Sequence, residues 1–148
     1  GKTTGWALYS LLTQTMTSGQ DNFDETCDLL ETWLECAGDS TVVGCERYII
    51  TPGNARLTDG YHALYMIGAA KSAAYRYAAV SFADDQTSSV AKSFATDQLL
   101  MLCGWYTIGK GHANDAARHV ATYLAKHDAT PSVMIDSMKA LLGNDTGK

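Results

Sequence analysis

Thr41-Val-Val-Gly-Cys-Glu-Arg-Tyr-Ile-Ile50 is a near-continuous apolar run, interrupted only by Glu46 and Arg47. Its β-branched and aromatic residues favour a strand, and the absence of polar alternation predicts a central strand covered on both faces. Glu46 then shares one side with Val42, Gly44, Tyr48 and Ile50. A carboxylate buried there is costly unless paired. The run therefore calls for a partner to Glu46, either a cation or an arginine such as Arg47 or Arg118.

Outward from this strand, Phe23 to Cys36 places Phe23, Cys27, Leu30, Trp33 and Leu34 on one helical stripe. Asp21 or Asn22 is its candidate cap, and Ser18-Gly-Gln-Asp21 reads as the turn before it. Gly5 to Ser10 and Leu12 to Ser18 read as a strand pair joined as a hairpin. After Pro52-Gly-Asn, Leu57 to Tyr77 forms an alanine-rich helix with a stripe at Leu64, Ile67, Ala70 and Ala74. A short strand over 79–83 and a polar loop over 84–89 follow. Helices are predicted around 90–95, 97–103 and 112–126, the last after the loop Gly109-Lys-Gly111. A final helix over 130–142 has Thr130 as cap and Pro131 at its first position. Strands alternating with helices in this order belong to the α/β class with a mixed sheet, and the 148 residues suffice for one domain, with 130–148 a C-terminal helix and tail.

Apolar residues make up 46% and charged residues 18%, a globular balance. No apolar run is long enough to span a membrane, and the first residues read as mid-domain sequence rather than a leader. A net charge of −5 argues against a strongly basic nucleic-acid binder but not against a nuclease, since carboxylates that hold divalent cations make a chain acidic on paper. Cys27, Cys36, Cys45 and Cys103 form no Cys-x-x-Cys pair. They read as core thiols of a reducing compartment.

Gly111-His-Ala-Asn-Asp-Ala-Ala-Arg-His119 is the second chemical signal. On a helix His112, Asp115 and His119 share one face, and Ala113, Ala117, Val120, Ala121 and Leu124 form the opposite, tightly packing side. Imidazole and carboxylate are common ligands for divalent metals, and a capping carboxylate with surface histidines is the plainer alternative. The third signal, Gly1-Lys-Thr-Thr-Gly-Trp6, matches the end of a phosphate-binding loop, but the strand-like residues after it do not fit the helix such a loop requires.

Taken together, these segments resemble the RuvC-like Holliday-junction resolvases of the RNase H-like superfamily, especially the small versions of actinobacterial phages. That family's Asp-x-Gly-x-x-Thr-Gly-Trp-Ala is matched by Gly1-Lys-Thr-Thr-Gly-Trp-Ala7. Its strand glutamate is matched within Val43-Gly-Cys-Glu-Arg-Tyr-Ile-Ile-Thr-Pro52, and its closing Asp/His-x-x-Asp-Ala by His112-Ala-Asn-Asp-Ala116. Ala91-Lys-Ser-Phe-Ala-Thr-Asp97 and Gly104-Trp-Tyr106 are similar to the phage subgroup too. The family's first aspartate falls two residues before the glycine matched by Gly1, so it and most of the first, central strand lie outside these 148 residues.

The resemblance implies an RNase H-like mixed sheet flanked by helices and a structure-specific deoxyribonuclease acting on branched DNA. It implies that Glu46, Asp115 and that aspartate bind two Mg²⁺ or Mn²⁺ ions ~4 Å apart, with His112 as a further ligand or proton-transfer group. Lys92 and Lys110, then Lys2 and Arg56, are the candidates for DNA-backbone contacts. A homodimer is expected of a resolvase. The apolar Met134, Met138, Leu141 and Leu142 or the Tyr61–Tyr65 segment would supply its interface, and the implied location is cytoplasmic, that of the bacterial host for a phage protein. Two alternatives keep the fold but change the function: a flap or exonuclease-type enzyme, and a non-catalytic DNA-binding domain. An actin-like kinase would need a second large domain.

Overall fold

Asn22 is the residue that starts the first helix. Its side chain accepts from the Glu25 backbone N–H at 3.0 Å, and the Glu25 carboxylate accepts from the Asn22 N–H at 3.3 Å, a reciprocal capping box. The computed structural model describes residues 3–38, 40–54, 58–77 and 80–145. Its elements in chain order are β1 (Thr4–Ser10), β2 (Thr15–Asp21), α1 (Phe23–Glu35), β3 (Val42–Glu46), α2 (Thr58–Arg76), β4 (Ser81–Gln86), α3 (Ser88–Phe94), α4 (Asp97–Leu102), α5 (Gly111–Lys126) and α6 (Ser132–Asp145). The class is α/β. Among the described residues the strands form two pairs, β1 with β2 and β3 with β4.

The chain divides into two compact units. The first comprises 1–4 and 21–88, the second 5–20 and 89–148. In the first unit β3 and β4 are parallel, with Val42, Val43 and Gly44 opposite Ser81, Phe82 and Ala83. A bulge then sets Glu46 opposite Gln86. Parallel neighbours need a crossover connection, which α2 supplies; it packs on α1, β3 and β4. Among the described residues, Ala70, Ala73 and Ala74, with Leu34 of α1, are the buried apolar residues there. Arg76 and the Tyr77 hydroxyl (3.2 Å) both donate to Glu31, tying the end of α2 to α1.

Three expectations are corrected here. β3 ends at Glu46, because β4 ends at Gln86 and the Arg47 N–H makes the last bond to the Gln86 carbonyl at 2.7 Å. β3 is also not covered on both faces. Val42, Gly44 and Glu46 are exposed while Val43 and Cys45 are half-buried, a one-sided alternation. The loop expected over 84–89 is instead the end of β4 and the start of α3.

In the second unit β1 and β2 form the expected hairpin, but the turn lies at 11–14, and Ser18-Gly-Gln-Asp21 belongs to β2. Two glycines allow close approach. A Cβ on Gly19 would stand 2.3 Å from a Trp6 ring carbon, and one on Gly5 would stand 1.9 Å from the His112 carbonyl oxygen. The core joins Ala95, Leu99, Leu100, Cys103, Trp105, Ala117, Ala121 and Met134, with Ala7, Tyr9 and Met16 of the hairpin against it. Tyr9 meets Trp105 edge-on at 5.9 Å. In α6, Met134 is fully buried and Met138 and Leu141 pack on the core, leaving Leu142 exposed. That helix therefore spends most of its apolar stripe internally. Its start also lies one residue later than expected, with the Pro131 carbonyl accepting from Ile135. Among the described residues no helix is long and apolar enough to cross a membrane.

The four cysteines are free, but only Cys103 is buried. Burial pushes the Cys45 thiol up to about 12, with help from the nearby Asp84 charge.

Candidate functional site

α5 is anchored by its small-residue face: Ala113, Ala117 and Ala121 have no solvent exposure. Asn114, 3% exposed, clamps the preceding loop. Its side-chain oxygen accepts from the Thr107 N–H at 2.8 Å and its amide donates to the Thr107 carbonyl at 2.9 Å. Gly109 enters the loop end with φ +72°, a value that favours glycine. Lys110 is the N-cap and has no side-chain cap bond, so the helix opens on an exposed lysine followed by the exposed Gly111 and His112.

This packing presents His112, Asp115 and His119 away from the alanine face, as the spacing predicts. His112 is exposed, and Asp115 and His119 are partly so. Asp115 is held at both oxygens. Arg118 donates to Oδ1 at 2.5 Å and the Lys92 ammonium lies 3.2 Å from Oδ2. Arg118 also donates through Nε to the Ala95 carbonyl at 3.0 Å and through its remaining arm to Asp97. Its side chain is 12% exposed, against 53% for Lys92. Lys92, Thr96, Asp97, Gln98 and Arg118 line a shallow open cleft of about 400 Å³.

The expected residues thus have different surroundings. Lys92 and Asp115 meet, so the lysine read as a DNA contact is here the ion-pair partner of the candidate ligand. Arg118, considered as a partner for Glu46, is directed to Ala95, Asp97 and Asp115 of its own unit. Glu46 lies in the first unit, at the exposed end of β3, rather than in a buried strand. Lys2 and Arg56 lie outside the described residues.

Sequence reasoning passed over the Arg118–Asp115 pair, although their i, i+3 spacing was visible. It also missed Asp97 and Asn114, whose partners depend on the tertiary fold. Among the described residues no three of His, Cys, Asp and Glu group in a way that holds a metal ion. In donor chemistry, Asp115 and Glu46 offer the hard carboxylate oxygens that Mg²⁺ and Mn²⁺ take, and His112 a nitrogen that Mn²⁺ accepts. No family model, no curated protein and no solved structure matches this chain.

Proposed function

We propose that this chain belongs to a metal-dependent endonuclease of RuvC-like type, with an RNase H-like fold, that cuts branched DNA. The observation that carries the reading is the approach of Gly5 to the backbone of His112. Gly5, in a segment that resembles one motif of that family, there meets His112, which opens a segment that resembles another, within the second unit.

In this reading Asp115 and Glu46 hold the cations, with His112 as a further ligand or as the group that moves a proton. When bound by these residues, Mg²⁺ or Mn²⁺ would supply water activation and charge neutralisation at the leaving 3′ oxygen, so that the products would carry 5′-phosphate and 3′-hydroxyl ends. Lys110, exposed at the α5 N-terminus, meets a backbone phosphate where the helix dipole favours an anion. Lys92 does the same from α3, with Lys2 and Arg56 as further backbone contacts.

The test is cleavage of four-way junctions and flaps in Mg²⁺ or Mn²⁺ by the protein expressed from its own start codon. Cutting that chelator stops and Asp115→Asn abolishes is the expected result. No cleavage by the wild-type protein, or an Asp115→Asn variant of equal rate, overturns it.

A second reading, a flap nuclease acting as a monomer, is favoured by α6, whose apolar stripe is turned into its own core. A resolvase needs a homodimer to place two sites on one junction. Mass in solution across a hundredfold concentration range, with activity on flaps against junctions, separates the two.

A further inference from the structure

Within the second unit, the loop between α4 and α5 ends in a closed turn with an apolar corner. The Lys110 N–H donates to the Thr107 carbonyl at 3.3 Å, and Gly109 takes the third place of the turn with φ +72°, where glycine is favoured. Asn114, buried near the start of α5, holds Thr107 at both its N–H and its carbonyl. Two residues before Thr107, Trp105 is buried and its N–H donates to the Leu100 carbonyl at 2.8 Å. The anchored turn presents Ile108 with 89% of its surface exposed, and the exposed Lys110 follows two residues later.

From Gln98 to His127 the only acidic residue is Asp115, and Arg118 and Lys92 pair with it. The same stretch carries Lys110, Arg118 and Lys126, and residues 5–20 of the same unit carry no charge. In a chain of net charge −5, this region therefore does not repel a polyanion. A single exposed isoleucine is ordinary on a protein surface. One fixed at the corner of an anchored turn, close to an exposed lysine, suits a polyanion that also offers an apolar gap. A branch point in DNA is such a place. Stacking is interrupted there, so a side chain enters at lower cost than between stacked pairs.

We propose that Ile108 is a wedge that enters the base stack at a DNA branch point, while Lys110 meets the adjoining phosphate. This rests on the nuclease reading above and names the residue that selects branched over linear DNA. Isoleucine is β-branched and holds few rotamers, so it loses little side-chain freedom on insertion.

The test is DNA binding by the protein expressed from its own start codon, in chelator and, by stopped flow before cutting, in Mg²⁺. The probes are a four-way junction with 2-aminopurine beside the branch point and a linear duplex of the same sequence. The wild type should raise the fluorescence of the junction only, because its base is unstacked. Ile108→Ser should abolish that rise and lower the preference for junction over duplex about tenfold, the low end for losing a buried aliphatic contact. Duplex affinity should not change. A position so exposed tolerates the substitution, which thermal unfolding checks. Ile108→Leu keeps the apolar bulk and should keep both properties. Lys110→Gln should weaken junction and duplex alike and lower the salt dependence by about one ion.

Wild-type fluorescence and preference in Ile108→Ser overturn the wedge and leave the nuclease reading intact. A wild type that prefers the junction without unstacking its branch does the same. So does a fall in solution mass on Ile108→Ser, which would assign the turn to a contact between copies. A wild type with no preference for branched DNA in binding or cleavage overturns both.

Discussion

Asp115 stands on a helix whose inner residues Ala113, Ala117 and Ala121 are wholly buried, whereas Glu46 ends a strand on which Val42, Gly44 and Glu46 are all exposed. The helix is fixed by close packing, by the Asn114 clamp on its preceding loop and by the Arg118 fork. The strand is fixed by its parallel ladder and by the cover of α2 on half-buried residues. One carboxylate is therefore built into a rigid scaffold and the other sits at the margin of a smaller one. The difference teaches where a carboxylate is held: Asp115 is tied by Arg118 and Lys92 within the second unit, whereas Glu46 stands at the exposed end of β3 in the first.

The largest expected effect tests the scaffold contrast itself. Leu100, fully buried in the second unit, should cost about 2–5 kcal/mol when changed to Ala. Val42→Ala, on the exposed face of β3, should cost well under that, because a surface position loses little on truncation. Equal losses in urea unfolding would show that the two regions are equally packed. Gly5→Ala comes next. Its new methyl would stand 1.9 Å from the His112 carbonyl oxygen, so the strand or the start of α5 must shift. A loss of about 1–3 kcal/mol is expected, as for other overpacked positions. Cleavage should fall with it if the β1–α5 approach belongs to the site.

Neutralising the carboxylates sharpens the comparison further. Asp115→Asn loses its ion pairs with Lys92 and Arg118 and should cost about 1 kcal/mol, the upper end for partly exposed pairs. Glu46→Gln should change metal-free stability by less than about 0.5 kcal/mol, as expected of an exposed site. A larger loss for Glu46→Gln than for Asp115→Asn would reverse the assignment.

The smallest effect concerns thiols. Burial raises Cys45 to about 12 and also raises Cys103, so at pH 8 both carry less thiolate than an ordinary cysteine. Iodoacetamide should therefore modify the exposed Cys36 first and these two last, with mass spectrometry giving the order. Early labelling of Cys45 would mean that the β3 region opens more readily than its ladder suggests.

Much of this architecture was legible because local chemistry agreed with the tertiary fold. The Asn22 cap, the alanine face of α5 and the hairpin all follow from short-range patterns. The misreadings share a cause. The 41–50 run looked doubly covered because its composition is apolar. Yet strand length is set by the partner, and β4 ends at Gln86, leaving Ile49 and Ile50 exposed. The turn before α1 was misplaced because Gly19 reads as turn chemistry. Its actual role is to admit the Trp6 ring across the hairpin.

At the site, Asp115 and His112 were readable from helical spacing. The Arg118 fork was not, since two of its three acceptors, at Ala95 and Asp97, are brought to it by the fold. Lys92 was found for one role and shows another, because a charge in sequence does not declare its partner.

The central proposal is that Asp115 serves a metal-dependent cleavage of branched DNA. Cleavage of four-way junctions and flaps in Mg²⁺ or Mn²⁺ by wild type and Asp115→Asn, with the fold of each checked by thermal unfolding, tests it most directly. The account predicts chelator-sensitive cutting by the wild type and none by a folded Asp115→Asn. A folded Asp115→Asn variant that cuts at the wild-type rate contradicts it.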